Sequence, residues 1–404
     1  MSQPQSVLQT ALQRIMTRLV MRSQALRRAY SLLVGATLFV GTPASATSQA
    51  TQAPPPAGGA TIADRLMRIS NDLAAGGQRA DEDIKEATAV LAIDPKIAEA
   101  HMLLGMAYRA KGSPELLGEA KAELQQALEI KPELVVARYF LAQTYFDLGR
   151  LERARDELTT GLKQVPNEPQ MLLLLGETER RLANPKRAIE VLRQAIQVAP
   201  SLPQARYYLG EALLDAGQSA EGIAVLEDLV KSGIDVPDLW ITLGSAYVDA
   251  NRLDEGIAAL ERGTKVALPD AEARVVLARA YRLKGNLARA EEELSLALPS
   301  AAAMQPTISY QNFQRDLQLE LGLLRMKQSA WPEAAKAFEQ AISIDPASGP
   351  AHRALAEVLF RQGQYKKSLE HANTAQKLGA PLADDLRKQL DAKIRGGGHQ
   401  GGDE

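Results

Sequence analysis

Four histidines, His101, His352, His371 and His399, are the side chains of this 404-residue chain best suited to metal or proton chemistry. None stands in an HExxH or comparable spacing, which a helical zinc site needs to put two imidazoles on one face. His352 and His371 fall on opposite helices of one expected hairpin with no acidic column to complete a site, so the histidines are expected as single solvent-facing or edge residues. Cysteine is absent, which removes thiolate ligands, thiol nucleophiles and disulfides. No G-x-S-x-G elbow and no Walker A loop occur, and Gly396, Gly397 and Gly398 follow no strand, so they cannot open a phosphate-binding turn. The expectation is a chain that is not an enzyme and takes no metal and no small-molecule cofactor.

What remains is surface, and the elements that present it repeat. Small residues recur at Ala120, Ala154, Ala188, Gly222, Gly256, Ala290, Ala334 and Ser368, in steps of 34 except for one of 44 between 290 and 334. Four residues beyond each stand Leu124, Leu158, Leu192, Leu226, Leu260, Leu294, Phe338 and Ala372, and seven beyond stand mostly Ala or Gly. Positions i, i+4 and i+7 share one face of a helix. A second small column, Gly105, Ala142, Gly176, Gly210, Gly244, Ala278, Gly322 and Ala356, belongs to a preceding helix, and small side chains where two helices cross let their axes approach closely. Prolines at 132, 166, 200 and 346 end one hairpin and begin the next. A period near 34 residues predicts stacked helical hairpins, an all-α solenoid.

These columns resemble the tetratricopeptide repeat (TPR) family. Its W-x2-L-G-x2-Y signature is complete at Trp240, Leu243, Gly244 and Tyr247, and partial at Leu104-Gly105-Tyr108, Leu141-Ala142-Tyr145, Leu209-Gly210 and Leu277-Ala278-Tyr281. The resemblance implies a right-handed α-solenoid of about nine helix-turn-helix units over 64–382: 64–97, 98–134, 135–168, 169–202, 203–236, 237–270, 271–314, 315–348 and 349–382. A capping helix over 383–395 presents Leu386, Leu390 and Ile394 on one face, and 396–404 forms a flexible tail. Two units are long, by three residues in the turn within 111–120 and by ten around 299–313. The latter is either a longer second helix or a surface excursion carrying Tyr310 and Phe313.

Family members bind ligands on the concave face lined by first helices. Carried onto this chain, the resemblance implies contacts from Tyr139, Gln143, Phe146 and Asp147; Leu173, Glu177, Arg180 and Arg181; Tyr207, Glu211 and Asp215; Ile241, Ser245 and Asp249; and Val275, Arg279 and Arg282. Lys327, Arg353, Glu357 and Arg361 follow, so the groove is expected to run from aromatic and acidic to basic. The pairs Tyr139/Gln143, Leu173/Glu177 and Tyr207/Glu211 stand where chaperone-binding members carry Lys and Asn, which argues against that role. Apolar and aromatic positions suit a partner peptide or an amphipathic helix; the opposing reading packs Tyr139 and Tyr207 between helices.

Composition narrows the partner. Aromatics are 4% and apolar residues 46%, as suits thin helical layers, and one elongated domain is expected. Residues 1–63 hold five arginines and no Asp, Glu or Lys, so the remainder carries 47 − 5 = 42 basic against 49 acidic side chains, a net −7. A mildly acidic body is unlike a nucleic-acid binder. Arg27-Arg28, the apolar run Tyr30–Val40 and Ala44-Ser45-Ala46 make a secretory signal over 1–46; a basic region of ordinary length is obtained by counting from Met21. The apolar run is shorter than the roughly 20 residues of a membrane span, so membrane attachment is expected only through an uncleaved leader. An organellar transit peptide is the other reading. Residues 47–63 form a Pro/Gly/Ala-rich disordered linker. The expected protein is a periplasmic or secreted scaffold for envelope assembly, secretion or polysaccharide export. A recruiting subunit of an envelope enzyme and a self-assembling structural protein are the alternatives.

Overall fold

The computed structural model describes residues 61–234, 237–266, 271–303 and 308–397. The leader, most of the linker, and His399 with the end of the tail lie outside the described residues. Two compact units divide at Val236 and Pro237. The first contains α1 (Ile62–Ala75), α2 (Ala80–Ile93), α3 (Ala98–Ala110), α4 (Leu117–Ile130), α5 (Val135–Asp147), α6 (Leu151–Gln164), α7 (Pro169–Arg181), α8 (Pro185–Val198), α9 (Pro203–Asp215) and α10 (Ser219–Lys231). The second contains α11 (Pro237–Asp249), α12 (Leu253–Val266), α13 (Ala271–Leu283), α14 (Leu287–Ala303), α15 (Ile308–Lys327), α16 (Trp331–Ile344), α17 (Gly349–Arg361), α18 (Tyr365–Lys377) and α19 (Asp384–Gly397). Among the described residues odd and even helices pair as nine hairpins, and α19 has no hairpin partner. Within each unit a second helix packs on its own first helix and on the first helix that follows, while successive first helices also touch. Each unit is thus an α-solenoid.

The repeated columns are the packing. Ala120, Ala154, Ala188, Ala290, Ala334 and Ser368 are all 0% exposed, as are Leu124, Leu158, Leu192, Leu226, Leu260 and Phe338. A Cβ built on Gly176 or Gly210 would lie 2.5 or 2.6 Å from a leucine atom of the facing column. Where serine replaces alanine at 368, its hydroxyl donates to the Ala356 carbonyl across the hairpin at 2.7 Å, so the buried polar group is satisfied.

Helix ends follow from local chemistry. Thr61 and Asp64 form a reciprocal capping box, with Asp64 N donating to Thr61 Oγ1 at 3.2 Å and Thr61 N to Asp64 Oδ2 at 3.0 Å. The box starts α1 two residues ahead of the boundary read at 64. Lys131, Val165, Ala199 and Asp345, each preceding a proline, leave the helical region, with φ between −138° and −132°. The three added residues of the second unit become the 3-10 turn Pro114–Leu116.

The turn inside each hairpin needs a left-handed residue, supplied by Gly149, Gly217, Gly285 and Gly363, with Ala183 (φ 58°), Asn251 and Ser329 in the same column. A β-carbon in that region costs roughly 1–2 kcal/mol. Ala183→Gly is therefore expected to stabilise the first unit by about 1 kcal/mol, read as a later urea midpoint. No gain would show that Ala183 sits there without strain.

The long seventh unit resolves into helix on both sides. α14 has 17 residues where α12 has 14, and α15 has 20 where α13 has 13, so three inserted residues extend one helix and seven the next. The eighth hairpin accordingly begins at Ile308 and not at 315. Phe313 is 3% exposed within the core of the second unit. It is packed into that core and not displayed on a surface excursion. At the end of the chain, Leu390 of α19 is buried with Ala356, Ala372 and Leu382, and Leu386 and Ile394 pack beside them, which caps the last hairpin.

A polar clamp recurs across the hairpins. A first-helix side chain reaches back to the carbonyl six residues earlier: His101 to Pro95, Arg138 to Pro132, Arg206 to Pro200 and His352 to Pro346. The same column meets the second helix at His101–Glu123 (2.6 Å), Arg138–Glu157 (2.6 Å) and Arg274–Glu293 (2.7 Å). His352 meets His371 instead. His101, His352 and His371 are therefore not single edge residues, as their spacing had suggested: His101 bonds Glu123, and His352, 7% exposed, meets His371 across the hairpin.

Candidate functional site

The first-helix face of the first unit is built from α3, α5, α7 and α9. Tyr139 does not present its ring there: it is 0% exposed and packs edge-on against Phe140 at 5.3 Å. Its hydroxyl accepts from Gln143 Nε2 at 3.1 Å, and burial pushes that hydroxyl well above its ordinary range. Gln143, Phe146 and Leu173 are buried too. The packing alternative for Tyr139 is the one the structure adopts, because α5 is enclosed by α4, α6 and the neighbouring first helices. Tyr207 keeps partial exposure, with its hydroxyl 3.4 Å from Glu211 Oε1.

The charged positions tie repeats to one another. Arg109 of α3 donates to Asp147 at 2.8 Å and to the Thr144 hydroxyl at 3.0 Å on α5. Arg181 of α7 lies 4.3 Å over the Phe146 ring and bonds Glu177 at 2.8 Å. Arg180 gathers Glu177 (2.8 Å), Glu211 (3.5 Å) and Asp215 (3.1 Å), joining α7 to α9. Burial is the largest influence on Glu211 and raises its carboxyl to about 7, with Arg180 opposing and the other two carboxylates adding to the rise. Acidic and basic candidates are thus each other's partners. The expected drift from acidic to basic is replaced, within this unit, by cross-helix pairing.

In the second unit the same logic joins Arg279 of α13 to Asp249 of α11. Arg282 of α13 meets Glu320 of α15 at 2.9 Å, with both side chains only 9% exposed. Ile241 is half-buried against the core, Ser245 donates back to the Ile241 carbonyl, and Val275 is 5% exposed. Lys327, Arg353 and Arg361 are exposed, and Glu357 is half-buried.

Between α13 and α15 lies an open cleft of about 470 Å³. Glu272, Val275, Val276 and Arg279 form one wall, and Asn312, Phe313, Asp316, Leu319 and Glu320 the other. The first set follows the i, i+3, i+4, i+7 spacing of a helical face and the second the spacing i, i+1, i+4, i+7, i+8, so each comes from one side of its helix. The floor is apolar. Of the charged groups around it, Arg279 is engaged by Asp249, Glu320 by Arg282 and Asp316 by Arg315, and the carboxylates of Glu272 and Asp316 are exposed. Asn312 and Phe313 belong to the seven-residue extension of α15, so the insertion supplies part of one wall. The insertion carrying Phe313 stood out in the sequence but Glu320 did not; the i, i+4, i+7 set Asn312, Asp316, Leu319 was the available signal for the rest of the wall. Among the described residues no group of three or more His, Asp or Glu side chains could hold a metal, and no helix is long and apolar enough to cross a membrane.

Tetratricopeptide-repeat profiles match residues 98–134, 117–177, 173–237, 241–305 and 319–383. The chain belongs to the tetratricopeptide-repeat family. No curated protein sequence matches it. Among solved structures it is similar to the APC/C hetero-tetramer Cut9–Hcn1, with a TM-score of 0.56 and 12% identity over 82% of this chain and 63% of that one. The chain therefore spans less than two thirds of that relative, and at this identity the likeness is one of fold. It is also similar to PilF of Pseudomonas aeruginosa (TM-score 0.44, 19% identity, 54% of this chain and 96% of that one). YrrB, described as a TPR protein with an unusual peptide-binding site, gives a TM-score of 0.39 at 18% identity over 49% of this chain and 97% of that one.

Proposed function

We propose that this chain is a non-enzymatic protein-interaction scaffold whose second unit holds a basic, amphipathic protein segment in the cleft between α13 and α15. The observation that carries the reading is that cleft: an apolar floor formed by Val275, Val276, Phe313 and Leu319 beside the exposed carboxylates of Glu272 and Asp316. A helix with apolar residues on one face and lysines beside them would bury its side chains on the floor and set its charges against those carboxylates. Membership of the repeat family supports the scaffold role. The first-unit face, whose polar groups satisfy one another, offers less to a ligand.

The test uses a fluorescein-labelled amphipathic helix with leucines on one face and lysines on the other. Asp316 is half-exposed and held by its neighbour Arg315, so Asp316→Lys reverses charge without opening the core. It is expected to weaken binding at least about tenfold at low salt and less at high salt, since exposed charges are screened over roughly 10 Å at 0.1 M. Leu319→Ser is expected to weaken binding comparably at both salts. Full affinity in both variants, with unchanged circular dichroism, would move the site off this cleft.

We also propose that the scaffold works in the bacterial cell envelope. Arg27-Arg28, the Tyr30–Val40 run and Ala44-Ser45-Ala46 support export with removal of residues 1–46. N-terminal sequencing of the mature protein is expected to begin at Thr47 or within a few residues of it. An intact leader in the membrane fraction would make it a tethered protein instead.

A further inference from the structure

The clamp that recurs across the hairpins changes chemistry in the last one. Elsewhere a histidine or arginine of the first helix faces a glutamate of the second. In the last hairpin His352 of α17 faces His371 of α18, Nδ1 to Nδ1, at 2.9 Å, with the rings tilted by 30°. This is the one clamp, among the described residues, made of two groups that gain charge of the same sign.

The hydrogen bonds assign the protons. His352 Nε2 lies 3.2 Å from the Pro346 carbonyl, which can only accept, so that nitrogen carries hydrogen. In a neutral ring the lone pair is then on His352 Nδ1, and His371 Nδ1 must donate to it. A first added proton can enter at His371 Nε2 and leave this bond intact. A second has no place except His352 Nδ1, where it removes the acceptor and sets two imidazolium rings against each other.

We propose that His352 and His371 form a pH-sensitive latch that holds α17 to α18 when the pair has at most one added proton and releases the C-terminal hairpin, with α19, when both rings are charged. The consequence for α19 follows from its seat: Leu390 and Leu382 pack against Ala356 of α17 and Ala372 of α18 together, so separating those helices removes the seat. The charged groups acting on His371 are Glu370 on its own helix and Glu339 on α16, both favouring protonation. From α15, Arg315 is held by Asp316 and by Asp345 beside Pro346, and α19 places no charge on the pair among the described residues. Burial and the neighbouring His352 outweigh the glutamates and hold His371 below the ordinary imidazole range. A histidine lowered in the folded state contributes stability that is present above its unfolded value, about 6.5, and is lost as pH falls through the folded value. No third ligand stands near enough to make the pair a metal site among the described residues.

Hydrogen exchange on the full chain at pH 7.5 and pH 5.0, corrected for intrinsic rates, tests the latch. Protection over 349–397 is expected to fall at least about tenfold at the lower pH, while α3–α6, whose clamps are carboxylate-based, change less. His371→Asn keeps an amide donor near the Nδ1 position and cannot gain charge, so it is expected to abolish the difference. Equal wild-type protection at both pH values, or an unchanged loss in the variant, would overturn the proposal. Should the variant not fold, imidazole NMR of the wild type decides: one ring is expected to stay neutral for as long as the hairpin remains protected. Two rings charging together in a protected hairpin would overturn it.

Discussion

Arg282→Met is expected to destabilise the second unit by about 3–5 kcal/mol at pH 8, because it leaves the Glu320 carboxylate charged and nearly dry. Arg282 Nε and Nη2 both lie 2.9 Å from the same oxygen of Glu320, and each side chain is 9% exposed. Burial already raises the Glu320 carboxyl above its ordinary range, with Arg282 first and Arg279 after it pulling it back. Without Arg282 it rises further. A carboxyl raised in the folded state contributes stability that is fully present below its unfolded value and is lost as pH rises through the folded one. The penalty is therefore largest above neutrality and shrinks toward pH 4–5, where the lone carboxyl is protonated. Arg282→Met combined with Glu320→Leu fills the space with apolar groups and is expected to recover most of the loss at both pH values. Urea unfolding of the three proteins at pH 8 and pH 5 measures this; an Arg282→Met protein within about 1 kcal/mol of wild type at pH 8 would show the pair to be solvated.

The fold was legible because its constraint is periodic. Each small residue of the second helices faces a close helix crossing in every repeat, so one packing requirement is printed eight times from Ala120 to Ser368. The left-handed turn column is equally periodic, yet it went unread: its requirement is a backbone angle, and Ala183, Asn251 and Ser329 meet it with side chains unlike glycine. The ten extra residues near 308 left a longer second helix and a surface excursion both open; they lengthen α14, as the first reading had it, and α15 as well.

The site was less legible because a first helix is enclosed on several sides at once. Position in the repeat identifies a face, but whether Tyr139 turns into the layer depends on what its neighbours leave open. Ion pairs were hidden for a related reason. Arg180 and Asp215 are 35 residues apart, Arg109 and Asp147 38, and Arg279 and Asp249 30, so the informative spacing is near a repeat length and not a helical turn. The clamp has its own spacing of 19 residues, seen at Arg138–Glu157, Arg274–Glu293 and His352–His371. His101–Glu123 obeys it once the three-residue turn insertion is added, at 22.

Gly322→Leu is expected to prevent the α15–α16 hairpin from closing, and even Gly322→Ala is expected to cost about 1–3 kcal/mol. A Cβ at 322 would lie 2.4 Å from Phe338 Cε1 and 2.7 Å from two other ring atoms. At the equivalent positions 176 and 210 the obstructing atoms belong to leucines, whose branches can turn aside. The Phe338 ring has no such freedom: it is 0% exposed and packed among Ala334, Leu355 and Val358, so it can retreat only by displacing α17. In an unobstructed helix the same glycine-to-alanine change gains up to about 1 kcal/mol. Gly118, within α4 and with nothing inside 4 Å of its would-be Cβ, provides that control. Gly118→Ala should melt no earlier than wild type, Gly322→Ala several degrees earlier, and Phe338→Leu should relieve part of the difference in the Gly322→Ala background. A Gly322→Ala protein that melts with the wild type would mean that α15 and α16 cross more loosely than the eighth hairpin shows.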